Sequence, residues 1–329
     1  MEESNQDKPA FTLRGQNLLK KLSTQTFHLI LFLLTFFTTT LAGIQWLNKD
    51  PLELTNFPLG LPYSISLLAV LAAHEYGHYF AAKFYGVLTT YPYFIPIPPF
   101  WLNPFGTMGA VIRIRTPISS KKALFDIGIA GPLAGLIVTL CILFYGFLTL
   151  PGREYLYTIH PEYLELKTIP EAGLTLGNSL FFWGISKLFS FMNFVPPMNE
   201  VYHYPFLCVG WFGLFITALN LIPVGQLDGG HILYSLIGRK QGLIARGFFI
   251  MLIVIGLSSF IPLLGWNIQP GTLGWLLWAG ILFFLIKLDH PEIFDDTILD
   301  TKRRMLGWMT FGIFIVTFPP IPFFELIPK

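Results

Sequence analysis

Seven stretches of this chain are apolar for long enough to enter or cross a bilayer, and that fact limits its fold more than any other. They run over about 27–47, 61–85, 124–149, 205–222, 243–264, 272–288 and 305–323. A helical span needs about 20 apolar residues, and in lipid each segment must satisfy its own backbone hydrogen bonds. Composition agrees: 53% of the residues are hydrophobic and 12% are charged, against about 25% charged in a soluble domain. The expected class is an all-α polytopic membrane protein with about seven transmembrane helices. The fourth segment is short and breaks at Pro223, and the last carries Pro319 and Pro320 near its end, where proline stops a helix.

Charge placement orients these segments. With residues 1–26 inside as a cytosolic tail, 15 of the 21 Lys and Arg residues fall in or beside inside segments, clustered at 8–21, 113–122, 239–246 and 287–304. Lys and Arg accumulate in cytoplasmic loops, so the N-terminus is expected inside and the C-terminus outside. The opening residues do not read as a cleaved leader. Cys141 and Cys208 both lie in apolar runs and are expected as free thiols.

The second apolar run contains His74-Glu75-Tyr76-Gly77-His78. Ionisable groups are costly in hydrocarbon and need a reason to be there. Positions i and i+4 share a helix face, so His74 and His78 can hold one Zn²⁺, with Glu75 beside it as a base toward water. A plainer reading makes both histidines backbone hydrogen-bonding partners, which leaves Glu75 unexplained in lipid. A catalytic zinc needs a third protein ligand. Asp228 stands out, in a Pro- and Gly-broken stretch from Asn220 to His231. It reads either as the third ligand or as an N-cap of the following helix; the histidine pair favours the ligand.

Two connections are not ordinary loops. Residues 91–101 are dense in proline yet apolar, and Phe105 to Arg115 turns strand-like. The stretch reads as a membrane-dipping loop with a hairpin or edge strand, or else as an interfacial loop anchored by Trp101. The outside stretch 151–204 holds an apolar patch at 178–194, expected as a surface helix, with an eighth span as the alternative. Asp126 reads as a helix-start acid near Lys121 and Lys122. Gly131 and Gly135 read as small-residue helix packing. His231 reads as a pore-side or headgroup contact, and His28, His160, His203 and His290 as interface or loop residues. The acids from 289 to 300 read as a solvated face.

Together, His74-Glu75-Tyr76-Gly77-His78, Phe105-Gly106-Thr107-Met108-Gly109, Ala130-Gly131-Pro132-Leu133-Ala134-Gly135 and Asn220-Leu221-Ile222-Pro223 leading to Leu227-Asp228-Gly229-Gly230 resemble the site-2 protease family of intramembrane zinc metalloproteases. The likeness covers roughly residues 60–240 and is nearest the compact bacterial and plastid branch. No PDZ or CBS module is read along the chain. The resemblance implies a three-helix catalytic core from the second, third and fourth spans. His74, His78 and Asp228 would bind one Zn²⁺, Glu75 would be the base, and Asn220 would help hold substrate. An edge containing Gly106, Thr107 and Gly109 is expected to bind an unwound substrate by strand addition. The expected divisions are the tail 1–26, a first helix and outer loop 27–60, a catalytic core 61–240 including the loop 150–204, and additional helices 241–329. The implied activity is hydrolysis of peptide bonds in transmembrane segments of other proteins. Substrate proteins and lipid are the expected partners, nucleic acid is not, and the oligomeric state is not read. A bacterial inner membrane is the expected location. The rivals are a transporter or ion pathway built from the same side chains, though no repeated halves are seen, and a catalytically silent scaffold.

Overall fold

A computed structural model describes residues 10–99, 104–166, 168–264, 271–293, 295 and 297–326. In chain order the elements are α1 (Ala10–Trp46), α2 (Phe57–Phe84), β1 (Tyr93–Pro96), β2 (Thr107–Val111), α3 (Lys121–Leu148), α4 (Glu154–Ile159), α5 (Tyr163–Leu166), β3 (Gly173–Leu176), α6 (Leu180–Ser190), α7 (Pro205–Asn220), α8 (Asp228–Ile237), α9 (Gln241–Ser258), α10 (Gly274–Ile281, continued to Ile286 as a π-turn), α11 (Thr301–Thr317) and β4 (Phe323–Leu326). The chain is mainly helical, with two small antiparallel sheets among the described residues.

Four helical runs among the described residues are long and apolar enough to cross a membrane: Thr24–Trp46, Leu54–Phe84, Lys121–Leu148 and Asp228–Ser258. The first three match expected spans. The fourth joins the expected 243–264 segment to the helix before it. The segments expected at 205–222 and 272–288 are shorter apolar helices, Pro205–Asn220 and Gly274–Ile286. Pro223 and Gly225 follow α7 and cut it at 16 residues. The last segment forms α11, 17 residues capped by Asp300, whose carboxylate accepts from the Arg303 amide. The apolar patch at 178–194 forms α6, 11 residues capped by Ser179.

The expected hairpin is present. Tyr93 pairs with Val111, Phe94 with Ala110 and Pro96 with Thr107, with a bulge between Phe94 and Pro96. Trp101 lies outside the described residues. The hairpin is tied to α1: the Thr38 hydroxyl donates to the Gly106 carbonyl (2.7 Å) and His28 Nδ1 faces the Pro92 carbonyl (3.0 Å). Gly106 has φ +77 and sits against the Thr38 and Thr39 backbone, so a side chain there would be both strained and obstructed. A second sheet joins distant parts of the chain. β3, in the connection between α3 and α7, pairs along its length with β4, which follows α11.

Helix α3 packs between α2 and α7 at the centre of the molecule. Phe147, Phe182, Trp211 and Phe212 fill one buried cluster, while Phe125, Ile222 and Ile232 belong to another under α9 and α11. At one end, Asp126 of α3 takes two hydrogen bonds from the Arg303 guanidinium (2.7 and 2.6 Å) and one from the Tyr85 hydroxyl. Its partners are therefore α11 and α2, in place of the helix dipole expected from sequence. Asp289 and Glu292 pair with Arg246 and Arg239 on the surface, each at 2.9 Å, as a solvated face should. Both thiols are free.

Candidate metal centre

Helix α2 carries His74, Glu75 and His78 into the interior, where they are 5%, 7% and 6% exposed. The i,i+4 spacing puts both imidazoles on one face, their Nε2 atoms 3.1 Å apart. Each ring has a defined orientation. His78 Nδ1 donates to the Ile127 carbonyl of α3 at 2.7 Å, because a carbonyl can only accept. That hydrogen bond leaves the Nε2 lone pair facing inward, as metal-binding histidines usually do. At His74 Nε2 the Asn220 side-chain amide stands 3.3 Å away.

Glycines on α3 seat these rings. A Cβ added at Gly131 would overlap the His78 imidazole, and one at Gly135 would stand 3.1 Å from His74 Cβ. Sequence reading assigned both to helix packing. The residues they pack against are the two histidines, and the only sequence signal for this is the four-residue spacing repeated on both helices.

Asp228 closes the group. The chain breaks after α7 and restarts at Asp228 as the first residue of α8. Leu227 occupies the N-cap position, and no side chain caps this helix. The Asp228 carboxylate reaches across instead, with Oδ2 3.3 Å from His74 Nε2 and Oδ1 3.3 Å from His78 Nε2. Of the two sequence readings, the geometry matches the ligand. Two imidazole nitrogens and a carboxylate are a zinc donor set. The edge of a tetrahedron with bonds near 2.0 Å is about 3.3 Å, which matches the 3.1–3.3 Å separations. The group fits zinc.

These residues border a cavity of about 460 Å³. Glu75 lies on its wall and meets the Ile112 backbone amide. Asn220, Gln226 and His231 also line it, as do residues 110–114. Among the expected substrate residues, Asn220 borders the cavity. Gly106, Thr107 and Gly109 lie further along the hairpin; the Thr107 hydroxyl donates to the Ile95 carbonyl at 2.8 Å and is spent inside the turn. His231 lines the cavity, but its Nδ1 pairs with His290 Nε2 at 2.7 Å, apart from the group of His74, His78 and Asp228.

Residues 62–260 match Peptidase family M50. The chain is 27% identical over 296 residues to "Probable zinc metalloprotease EGY2, chloroplastic" of Arabidopsis thaliana, covering 88% of this chain and 48% of that protein. It is 28% identical over 324 residues to the Arabidopsis thaliana "Probable zinc metalloprotease EGY1, chloroplastic", covering 89% and 52%. Against the EGY1 protein of Oryza sativa subsp. japonica it is 29% identical over 321 residues, covering 90% and 50%. The chain spans about half the length of these curated relatives. The match takes in most of α2, all of α3 and α7, and His74, His78 and Asp228, and it exceeds half of the chain, which therefore belongs to peptidase family M50, the family of the site-2 proteases.

Proposed function

We propose that this protein is an intramembrane zinc metalloendopeptidase that hydrolyses peptide bonds in or near transmembrane segments of other membrane proteins. The observation that carries the reading is the convergence of His74, His78 and Asp228 at 3.1–3.3 Å with Glu75 on the wall of the same cavity. His74, His78 and Asp228 would hold one zinc ion. When bound, the ion polarises a scissile carbonyl and acidifies water. Glu75 takes the proton from attacking water and returns it to the leaving amine. Asn220, anchored at the end of α7, positions substrate beside His74.

A transmembrane helix hides its carbonyls in hydrogen bonds, so the substrate must unwind before attack. The hairpin supplies a place for the unwound chain. The end of β2, with Ile112 after it, runs along the cavity wall, and strand addition there would hold substrate extended next to Glu75. Gly106, Thr107 and Gly109 would act by shaping that hairpin and docking it on α1.

The catalytic core is proposed as residues 61–240, with 1–26, 27–60 and 241–329 as the tail, first helix with its loop, and additional helices. Seven crossings are proposed, with α7, the Gly274–Ile286 helix and α11 completing the four long helices. Pairing of β3 with β4 supports this count, because it requires the outer segment and the C-terminus to share a side. The distribution of Lys and Arg supports a cytosolic N-terminus. The plant relatives are named as chloroplastic; for this chain a bacterial inner membrane is proposed from the branch it resembles.

The test is Glu75→Gln in the full chain, reconstituted with a transmembrane reporter. Cleavage should fall by at least about 10²-fold, as expected for losing a general base, while zinc content stays at the wild-type value. Undiminished cleavage would refute the assignment.

A further inference from the structure

A second convergence of ligand-type side chains lies in the outer segment, at the opposite end of α7. His160 follows α4, while Glu200 and His203 belong to the turn that leads into α7. Glu200 and His203 are 2% and 3% exposed. The Nε2 atoms of His160 and His203 stand 3.0 Å apart, and Glu200 Oε2 is 3.8 and 3.6 Å from them.

The other nitrogens of both rings are already committed. His203 Nδ1 lies 2.5 Å from the Trp46 carbonyl, which only accepts, so that nitrogen carries the proton. His160 Nδ1 faces the Glu162 carboxylate at 3.1 Å, with the same consequence. Both Nε2 atoms therefore turn lone pairs toward each other. Glu200 adds a third inward donor. Its Oε1 accepts from the Tyr163 hydroxyl (2.9 Å) and the Asn199 amide (3.1 Å), while Oε2 is buried without a hydrogen-bond partner. One shared proton between the two rings would leave Oε2 unpaired, whereas a cation satisfies all three atoms. A ring oriented from behind by a carbonyl or carboxylate is how proteins present histidine to a metal.

We propose that His160, Glu200 and His203 bind a second divalent transition-metal ion, of the zinc class, which pins the outer segment to the end of α1. The donor set chooses the class: two imidazoles and one carboxylate suit zinc, whereas calcium and magnesium take oxygen ligands. The separations of 3.0–3.8 Å bracket the edge of about 3.3 Å for a tetrahedral zinc site. Through the Trp46 carbonyl the ion would couple three parts of the chain: the close of α1, the loop after α4 and the entry to α7. Asn220, which touches the first site, is the last residue of α7, so about 24 Å of helix separates the two centres. The outer ion is therefore structural, and this inference does not depend on the proposed peptidase activity.

Zinc per chain, counted by mass spectrometry on the full-length protein in detergent after dialysis with Zn²⁺ and removal of the excess, tests it. The wild type should hold two ions, a His74→Ala, His78→Ala double variant one, and that variant with His160→Gln none. Cobalt in the double variant should give visible ligand-field absorption that His160→Gln abolishes. If the double variant aggregates, Asp228→Asn replaces it as the background. A folded background variant that holds no zinc overturns the proposal and leaves the α2 site standing. A wild type with one ion, lost on His160→Gln and kept in the background variant, supports the outer site and overturns the inner one. Retention of the background variant's ion through both His160→Gln and His203→Gln also overturns the proposal.

Discussion

Gly131→Ala gives a sharp test of how the first site is built. The added methyl group would overlap the His78 ring, whose position is fixed by the hydrogen bond from Nδ1 to the Ile127 carbonyl. To reach ordinary contact, 3.4 Å or more, the ring must move by more than 1 Å from its 2.1 Å approach, whereas a metal–ligand bond tolerates ~0.2 Å. The helix itself should not suffer, since Ala is favoured over Gly in a helix interior by about 1 kcal/mol. Zinc affinity at the site should fall by at least about tenfold, the lower end for disturbing a ligand's support. Cleavage should fall by about 10²-fold, the usual cost of a misplacement of this size. Gly135→Ala is the matched control. Its methyl would meet His74 Cβ at 3.1 Å, a contact relieved by a few tenths of an ångström, so cleavage should stay within about tenfold of wild type. Zinc is counted in a His160→Gln background, so that only the first site contributes, alongside cleavage of a transmembrane reporter. Full zinc and full cleavage in Gly131→Ala would refute the seating of His78 on that glycine.

Asp228→Ala should remove zinc from the first site and abolish cleavage; full occupancy there would mean that another group completes the triad. Val111→Pro should slow cleavage of a helical substrate more than of one already broken by its own Gly or Pro residues, with zinc unchanged, because proline removes a backbone donor; equal rates on both substrates would contradict strand addition. Gln226 is exposed and borders the cavity, so Gln226→Cys in a Cys141→Ser background should react with a membrane-impermeant thiol reagent from the N-terminal side of the membrane; labelling only from the other side would invert the orientation. Arg303→Ala should lower stability by about 1 kcal/mol, since its pair with Asp126 is partly exposed, and zinc should stay bound; loss of zinc would show that this bridge reaches the site.

The first site was legible because its chemistry is local. His74 and His78 are one helical turn apart, and an apolar setting makes any polar residue conspicuous. Asp228 was found as an acid on a broken apolar stretch, although sequence could not separate ligand from cap. What escaped depends on contacts remote in sequence. Asp126 looked like a helix-start acid because Arg303 stands 177 positions away. Gly131 and Gly135 looked like generic packing because a glycine does not announce which side chain will fill its space. The outer cluster was missed because His160 and His203 are 43 residues apart, on a segment with no periodicity to place them together. Span number was harder still: the 205–222 segment is short and broken at Pro223 already in the sequence, and it folds as the 16-residue α7, so hydropathy and length do not decide whether it crosses.

The order in which the candidate ligands occur along the chain has a consequence for its synthesis. Asp228 follows His78 by about 150 residues, so at about 5–20 residues per second it emerges roughly 8–30 s later. During that interval two imidazoles and the Glu75 carboxylate occupy a nascent bundle without the acid that draws them together. The glycines at 131 and 135 arrive first, some 50–60 residues after the histidines and roughly 3–12 s later. Helix α3 can thus cover both rings before Asp228 is made. On the proposed function, the candidate site therefore gains its third ligand only after the ribosome has passed the loop after α7.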